Sequence, residues 1–295
     1  MSFIIHTPLF KFVSIIKPMK NILILTDFSK NSWNSIEYAL ALFQNRSYNF
    51  YLLNATDVQE DEFEEGEYGS VGLLPVKIKK NSKQDFDKLF EKISLSKLKG
   101  THNFTPISVE SDLISAVRNQ IKERKINLIV MGTNGLSSQG KMNIGSISED
   151  VITKVKCSAL VIPKEARFSG VKEIAFPTDY TYFYEAKLLE NIDDLLNYDE
   201  SVLRFVYLAK KNEFLHKGQL WNKETLEDYF SDKPHSFNFE INKDLELSVQ
   251  NVIEKFGIDL IIMAAKNLNL FEQILFRPKI DTIKYYSKMP FLILH

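Results

Sequence analysis

At 295 residues the chain is longer than one average domain, so two domains of about 150 residues are the first expectation. With 44% apolar residues, 25% charged residues and a formal net charge of -1, it has the make-up of a globular protein in water, which excludes the strongly basic surface that nucleic acid or an anionic membrane would require. The single cysteine, Cys157, excludes an internal disulfide, and no Cys/His cluster has metal-site spacing, so a reducing, cytoplasmic location is expected.

The chain opens MSFIIHTPLFKFVSIIKPMK, whose apolar runs are short, are broken by His6, Pro8, Lys11 and Lys17, and precede no small-residue cleavage site. Residues 1–19 are therefore read as an extension ahead of the first strand, with Met19 a natural alternative start of the fold. NILILTD (21–27) and YLLNATD (51–57) follow as buried strands, then FTPISV (104–109), INLIVMG (126–132) and ALVIP (159–163). Between them Trp33, Ile36, Leu40 and Phe43 share one helical face, as do Phe86, Phe90 and Ile93, and Leu113, Val117 and Ile121. Alternating strand and helix calls for right-handed crossovers and an open, doubly wound α/β sheet with helices on both faces. Residues 58–75, carrying Glu60, Asp61, Glu62, Glu64, Glu65 and Glu67, are too polar for an element of the sheet and read as a solvated loop.

The second half repeats the first. Residues 111–131 and 243–263 align without gaps at an offset of 132, with identities that include Asp112/Asp244, Val117/Val249, Ile129/Ile261 and Met131/Met263. At another offset Thr26-Asp27 matches Thr178-Asp179, each pair ending a first strand. The chain is a tandem duplication: a domain over 20–163, a linker over 164–171 and a second domain over 172–295.

Gly135-Leu-Ser-Ser-Gln-Gly140-Lys141-Met142 falls one residue short of a phosphate-binding loop, because Met142 stands where a hydroxyl must ligate magnesium. The better helix start lies further on, where Ser146 and Glu149 form a capping box ahead of Ile147, Val151, Ile152 and Val155. Gly132, Gly135 and Gly145-Ser146 make a different set, with two residues between the first pair and nine between the second and third. That spacing resembles the G-2x-G-9x-G-[S/T] signature of the ATP-binding branch of the universal stress protein family, as do ILILTDFSKNSWNSIEYAL at the start of the copy and Cys157-Ser-Ala-Leu-Val-Ile-Pro163 after it.

The resemblance implies two tandem Rossmann-like domains of the adenine nucleotide alpha hydrolase-like kind, each an open five-stranded parallel sheet. It implies adenosine contacts at Leu25, Thr26 and Asp27, triphosphate contacts at Gly132, Thr133, Gly135, Gly145, Ser146, Ile147 and Ser148, and a nucleotide contact at Met131, with or without magnesium on the phosphates. Physically, glycines leaving the fourth strand let backbone N–H groups turn toward a ligand and take positive φ without strain. The N-terminus of the following helix favours an anion, and Ser146 and Ser148 add hydroxyl donors. Each residue also has a plainer reading: Ser146 with Glu149 as a cap, Asp27 as a cap of the first helix, Gly132 or Gly135 as a turn.

In the second copy Ala264, Asn267, Arg277 and Pro278 replace Gly132, Gly135, Gly145 and Ser146, so no ATP is expected there. His216, His235 and His295 have no visible partners and read as surface or structural residues. No catalytic residue stands out, and a redox role for Cys157 is weak. The sequence thus points to a stress-response regulator that binds ATP in its first domain, with the fifth strands pairing within the chain or in a homodimer. Two other readings stay open: a scaffold without nucleotide and a slow metal-dependent ATPase.

Overall fold

The computed structural model describes residues 19–56, 80–96, 100–133, 146–193, 201–209, 214–241, 245–265 and 288–295. The first half runs β1 (Lys20–Leu25), α1 (Lys30–Leu42), β2 (Tyr48–Thr56), α2 (Lys80–Leu95), β3 (Asn103–Glu110), α3 (Leu113–Arg124), β4 (Leu128–Gly132), α4 (Ser146–Lys154) and β5 (Ala159–Ile162). The second runs β6 (Glu173–Thr178), α5 (Ala186–Asp193), β7 (Val202–Ala209), α6 (Lys217–Tyr229), β8 (His235–Ile241), α7 (Leu245–Phe256), β9 (Leu260–Ala264) and β10 (Phe291–Leu294). The acidic segment 58–75 and the extension before Met19 lie outside the described residues.

All ten strands join one sheet in the order β3-β2-β1-β4-β5-β10-β9-β6-β7-β8. Within each half every pair is parallel and the order is that of an open, doubly wound Rossmann-like sheet. The halves meet at β5 and β10, which pair antiparallel with Leu160 opposite Leu292. Every residue of both strands is buried. Left unpaired, so apolar an edge would invite association with other chains, and here each strand covers the other.

Strand alternation sends the apolar side chains to two faces, and each face continues across the β5/β10 seam. Ile22, Phe50, Leu160, Phe176, Phe205 and Leu292 belong to one core, and Leu23, Ile129, Val161, Ile261, Phe291 and Ile293 to the other. Of the aromatics read as core, Phe43 and Phe86 are buried, while Trp33 and Phe90 are half-buried against them. The connection between the halves is pinned to α1: Asn34 donates to the carbonyl of Pro163 at 3.2 Å, Arg167 donates to Asn34 Oδ1 at 2.7 Å, and Phe168 meets Tyr38 edge-on at 5.3 Å.

Three sequence readings shift. β1 stops at Leu25 rather than Asp27, because the Thr26 and Asp27 side chains take over the following backbone N–H groups. β4 begins at Leu128 rather than Ile126, since Ile126 still donates to Ile121 O at the end of α3. His216 has a partner after all: it caps α6, with Nδ1 accepting from Gln219 N and Gln219 Oε1 accepting from His216 N.

Cys157 lies at the start of β5, buried, with its thiol pushed up to about 12 by loss of solvent. Burial of this kind keeps the thiol in its protonated, less nucleophilic form. Among the described residues no helix is long and apolar enough to cross a membrane.

Candidate functional site

In each half the strand order reverses between the first and fourth strands, and such a switch point opens a crevice beyond the strands' carboxyl ends. In the first half that place is the end of β1 and β4. The chain leaves β1 through a turn made by its own side chains: Thr26 Oγ1 accepts from Phe28 N at 3.1 Å and Asp27 Oδ1 from Ser29 N at 3.0 Å. Phe28 sits at φ 61, a left-handed conformation unusual for an aromatic residue. Ser29 then caps α1 by accepting from Ser32 N, so Asp27 is not the helix cap that one reading made it.

Partial burial pushes the Asp27 carboxyl up, but hydrogen bonds from Ser29 and Ser32 outweigh it and hold it below the ordinary carboxyl range. A depressed value stabilises the fold fully above the unfolded carboxyl pKa near pH 4, and that contribution is lost as pH falls through the folded value. Because Asp27 is exposed, the effect is expected not to exceed about 1 kcal/mol. Urea unfolding of wild type and Asp27→Asn between pH 7 and 3 tests this: the stability gap between them should narrow in acid, and a pH-independent gap would refute it.

Gly132 ends β4, but its φ is not positive; among described glycines only Gly170 and Gly257 are left-handed. Its smallness serves packing. A Cβ there would stand 3.1 Å from Asn31 Nδ2 and 3.2 Å from Asn31 O, so glycine lets the first turn of α1 settle on the strand end without a shift. Asn31 Nδ2 donates to Thr133 O at 2.6 Å and Thr133 N donates to Ile162 O at 3.0 Å; Thr133 is buried and is not among the described residues that line the cleft. Helix α4 starts at Ser146, within one residue of the start that the capping pattern implied. Ser148 was expected to donate to an anion; here its hydroxyl donates to Gly132 O at 3.1 Å. Gly135, Gly145 and the Ser146 side chain lie outside the described residues.

These elements enclose a cleft of about 240 Å³. Of the residues expected at a binding site it gathers Leu25, Thr26, Asp27, Met131, Gly132, Ile147 and Ser148. It adds Ser29, Asn31 and Ser32 from the start of α1, and Leu53, Ala55 and Leu113 as an apolar wall. Sequence reasoning passed over these six; the only signal was their position in or just after the carboxyl ends of the first three strands. Among the described residues no group of three His, Cys, Asp or Glu is placed to hold a metal ion. The cleft therefore offers an apolar slot with acceptors at its mouth, suited to a flat body bearing N–H or O–H groups.

The second half builds the same turn, and among the described residues the place of the cleft is narrowed. Thr178 Oγ1 accepts from Tyr180 N, Asp179 Oδ1 accepts from Thr181 N, and Tyr180 is left-handed at φ 55. Strand pairing puts Leu208 where the first half has Ala55, and Ala264 where it has Gly132. The space beside Pro177, Val206 and Leu208 is too narrow for a water molecule. Phe183, which follows Thr178 by the same five residues as Asn31 follows Thr26, lies ahead of α5 rather than in a helix and stacks on Trp221 at 5.3 Å.

A larger groove of about 600 Å³ lies at the other end of the strands, between Tyr38, Arg167, Asp259 and Lys288. It is lined by cations, Arg167 and Lys288, as well as by the Asp259 carboxylate, but it lies away from the switch point where ligands of such a sheet collect, so the smaller cleft is the better candidate site.

Residues 18–163 match the universal stress protein family. No curated protein sequence matches the chain. Among solved structures it is similar to a universal stress protein from Archaeoglobus fulgidus DSM 4304, with a TM-score of 0.61 and 14% identity over 92% of this chain and 95% of that one. It is also similar to a functionally unknown protein from Pseudomonas aeruginosa PAO1, with a TM-score of 0.58 and 11% identity over 94% and 92% of the two chains. At such identities the structural likeness speaks for the fold of both halves.

Proposed function

Residues 18–163 belong to the universal stress protein family, and from that premise we propose that this half of the chain binds ATP and acts in the stress response as a nucleotide-dependent regulator in the cytoplasm. The observation that carries the reading is the cleft at the β1/β4 switch point, where seven of the expected contact residues come together. At about 240 Å³ it is smaller than the roughly 300–1,000 Å³ of whole small-molecule sites, so it suits the nucleoside end of ATP.

Leu25, Leu53, Leu113 and Met131 would flank the base, and Asp27 would accept from the sugar. The phosphates would run toward the start of α4 and the glycines Gly135 and Gly145, with magnesium carried on the phosphates. ATP supplies charge and binding energy here, and the protein's part is to hold it. Asp27 is engaged by its own turn, which leaves it poorly placed to act as a base, so the regulatory reading is preferred to slow hydrolysis.

One observation favours the scaffold reading. The Thr26-Asp27 turn satisfies itself and recurs at Thr178-Asp179, where the glycines are missing, so it needs no ligand to form. Calorimetric titration of the full chain with ATP and magnesium, with a search for nucleotide released on denaturation, separates the two. One ATP per chain without turnover supports the regulator. No binding and no carried nucleotide would leave the scaffold, and steady phosphate release would favour the ATPase.

A further inference from the structure

Among the described residues of the cleft, half-buried Asn31 carries a buried polar atom with unfinished hydrogen bonding. Its Nδ2 donates to Thr133 O at 2.6 Å, which fixes the amide's orientation, since a flip would set two oxygens face to face. Its Oδ1 is then buried without a partner. A buried acceptor left unpaired costs the desolvation of that group, so the site is built to receive a donor there.

Among the described residues, the neighbouring hydroxyls do not supply one. Ser148 gives its hydroxyl hydrogen to Gly132 O, Ser32 gives its to Ser29 O, and Thr26 points its hydroxyl at Ser32 Oγ. Asp27, ionised at neutral pH, adds a second acceptor on the same cleft wall. In the second half, where Leu208 and Ala264 narrow the equivalent place, the residue at the same sequence step after the Thr-Asp turn is Phe183, which carries no acceptor.

We propose that Asn31 is a specificity-determining residue of this cleft, whose Oδ1 accepts a hydrogen bond from an O–H or N–H of the nucleoside end of the ligand. This rests on the nucleotide reading above. The donor is a ribose hydroxyl or the exocyclic amino group of the base. A site holding a buried acceptor for such a group discriminates against ligands that lack it, because the acceptor is then left unpaired.

The test is calorimetric titration of the full chain and of Asn31→Leu with ATP, 2′-deoxy-ATP, 3′-deoxy-ATP and inosine triphosphate, which lacks the amino group. Wild type should bind one or more of the three analogues roughly tenfold or more weaker than ATP, and the analogue affected identifies the donor. Asn31→Leu should lose a similar factor for ATP and bind that analogue no worse than ATP. The lost Thr133 bond will also lower stability, so melting is followed alongside, and Asn31→Ala serves if the leucine variant does not fold. A ratio of affinities within one variant is insensitive to that loss. If wild type binds ATP but treats all four nucleotides alike, or if the variant keeps the wild-type discrimination, the assignment of Asn31 is overturned. Failure of wild type to bind ATP at all sinks the nucleotide reading, and this inference with it.

Discussion

Gly132→Val is expected to abolish measurable ATP binding while leaving the chain folded. A Cβ at Gly132 meets Asn31 Nδ2 at 3.1 Å, Asn31 O at 3.2 Å and Asn31 Cγ at 3.3 Å, tighter than ordinary contact. Alanine could be absorbed by a shift of a few tenths of an ångström, but the two methyls of valine cannot. They must displace the first turn of α1, and with it the Asn31–Thr133 hydrogen bond and the Ser29 and Ser32 wall of the cleft. Overpacking of this kind costs about 1–3 kcal/mol of stability, less than a domain's total. The affinity loss should be larger, at least about a hundredfold, because several contacts move at once. Titration with ATP, with circular dichroism as the fold check, decides it. A folded Gly132→Val with wild-type affinity would place the nucleotide elsewhere. The contrasting change, Ala264→Gly in the second half, should not create a site, since Leu208 still fills the slot.

Leu292→Asp is expected to unfold both halves together. Leu292 has no exposure, pairs with Leu160 across the antiparallel seam, and belongs to a core that includes Ile22 and Phe50 in the first half and Phe176 and Phe205 in the second. A carboxylate there has no cation within the apolar seam, and burying an unpaired charge is among the few changes that cost more than about 4–5 kcal/mol. Thermal unfolding followed by circular dichroism should drop steeply as one transition, and ATP should no longer protect the protein. If the first half still melted at the wild-type temperature and bound ATP, the seam would be a contact between two independent units. The continuous cores argue otherwise.

The period of the apolar runs and the glycine spacing were legible in the chain itself. Strands buried on both faces, such as LIVM in β4 and ALVI in β5, announce a parallel sheet, because each residue carries its own burial preference. The start of α4 at Ser146 was legible for the same reason, since a helix signal is local. Asn31 was not. Nothing in KNSWN marks its third-dimension partner, and its role follows from the carbonyl of Thr133, a hundred residues on, and from the absence of a side chain on Gly132. The hydrogen of Ser148 was likewise assigned to a ligand until the fold brought Gly132 O within reach.

The sequence by itself therefore determined the family, the two-copy plan, the strands and helices, and which strand ends carry the glycines, all properties of short windows or of spacing along the chain. Only the tertiary structure decided that the copies share one sheet through β5 and β10, that Ala55 leaves a cleft where Leu208 closes one, and that Asn31 holds an acceptor in it. Those depend on which atoms a closed fold sets face to face, and hydrogen bonding and packing at contact range are not encoded in any residue singly.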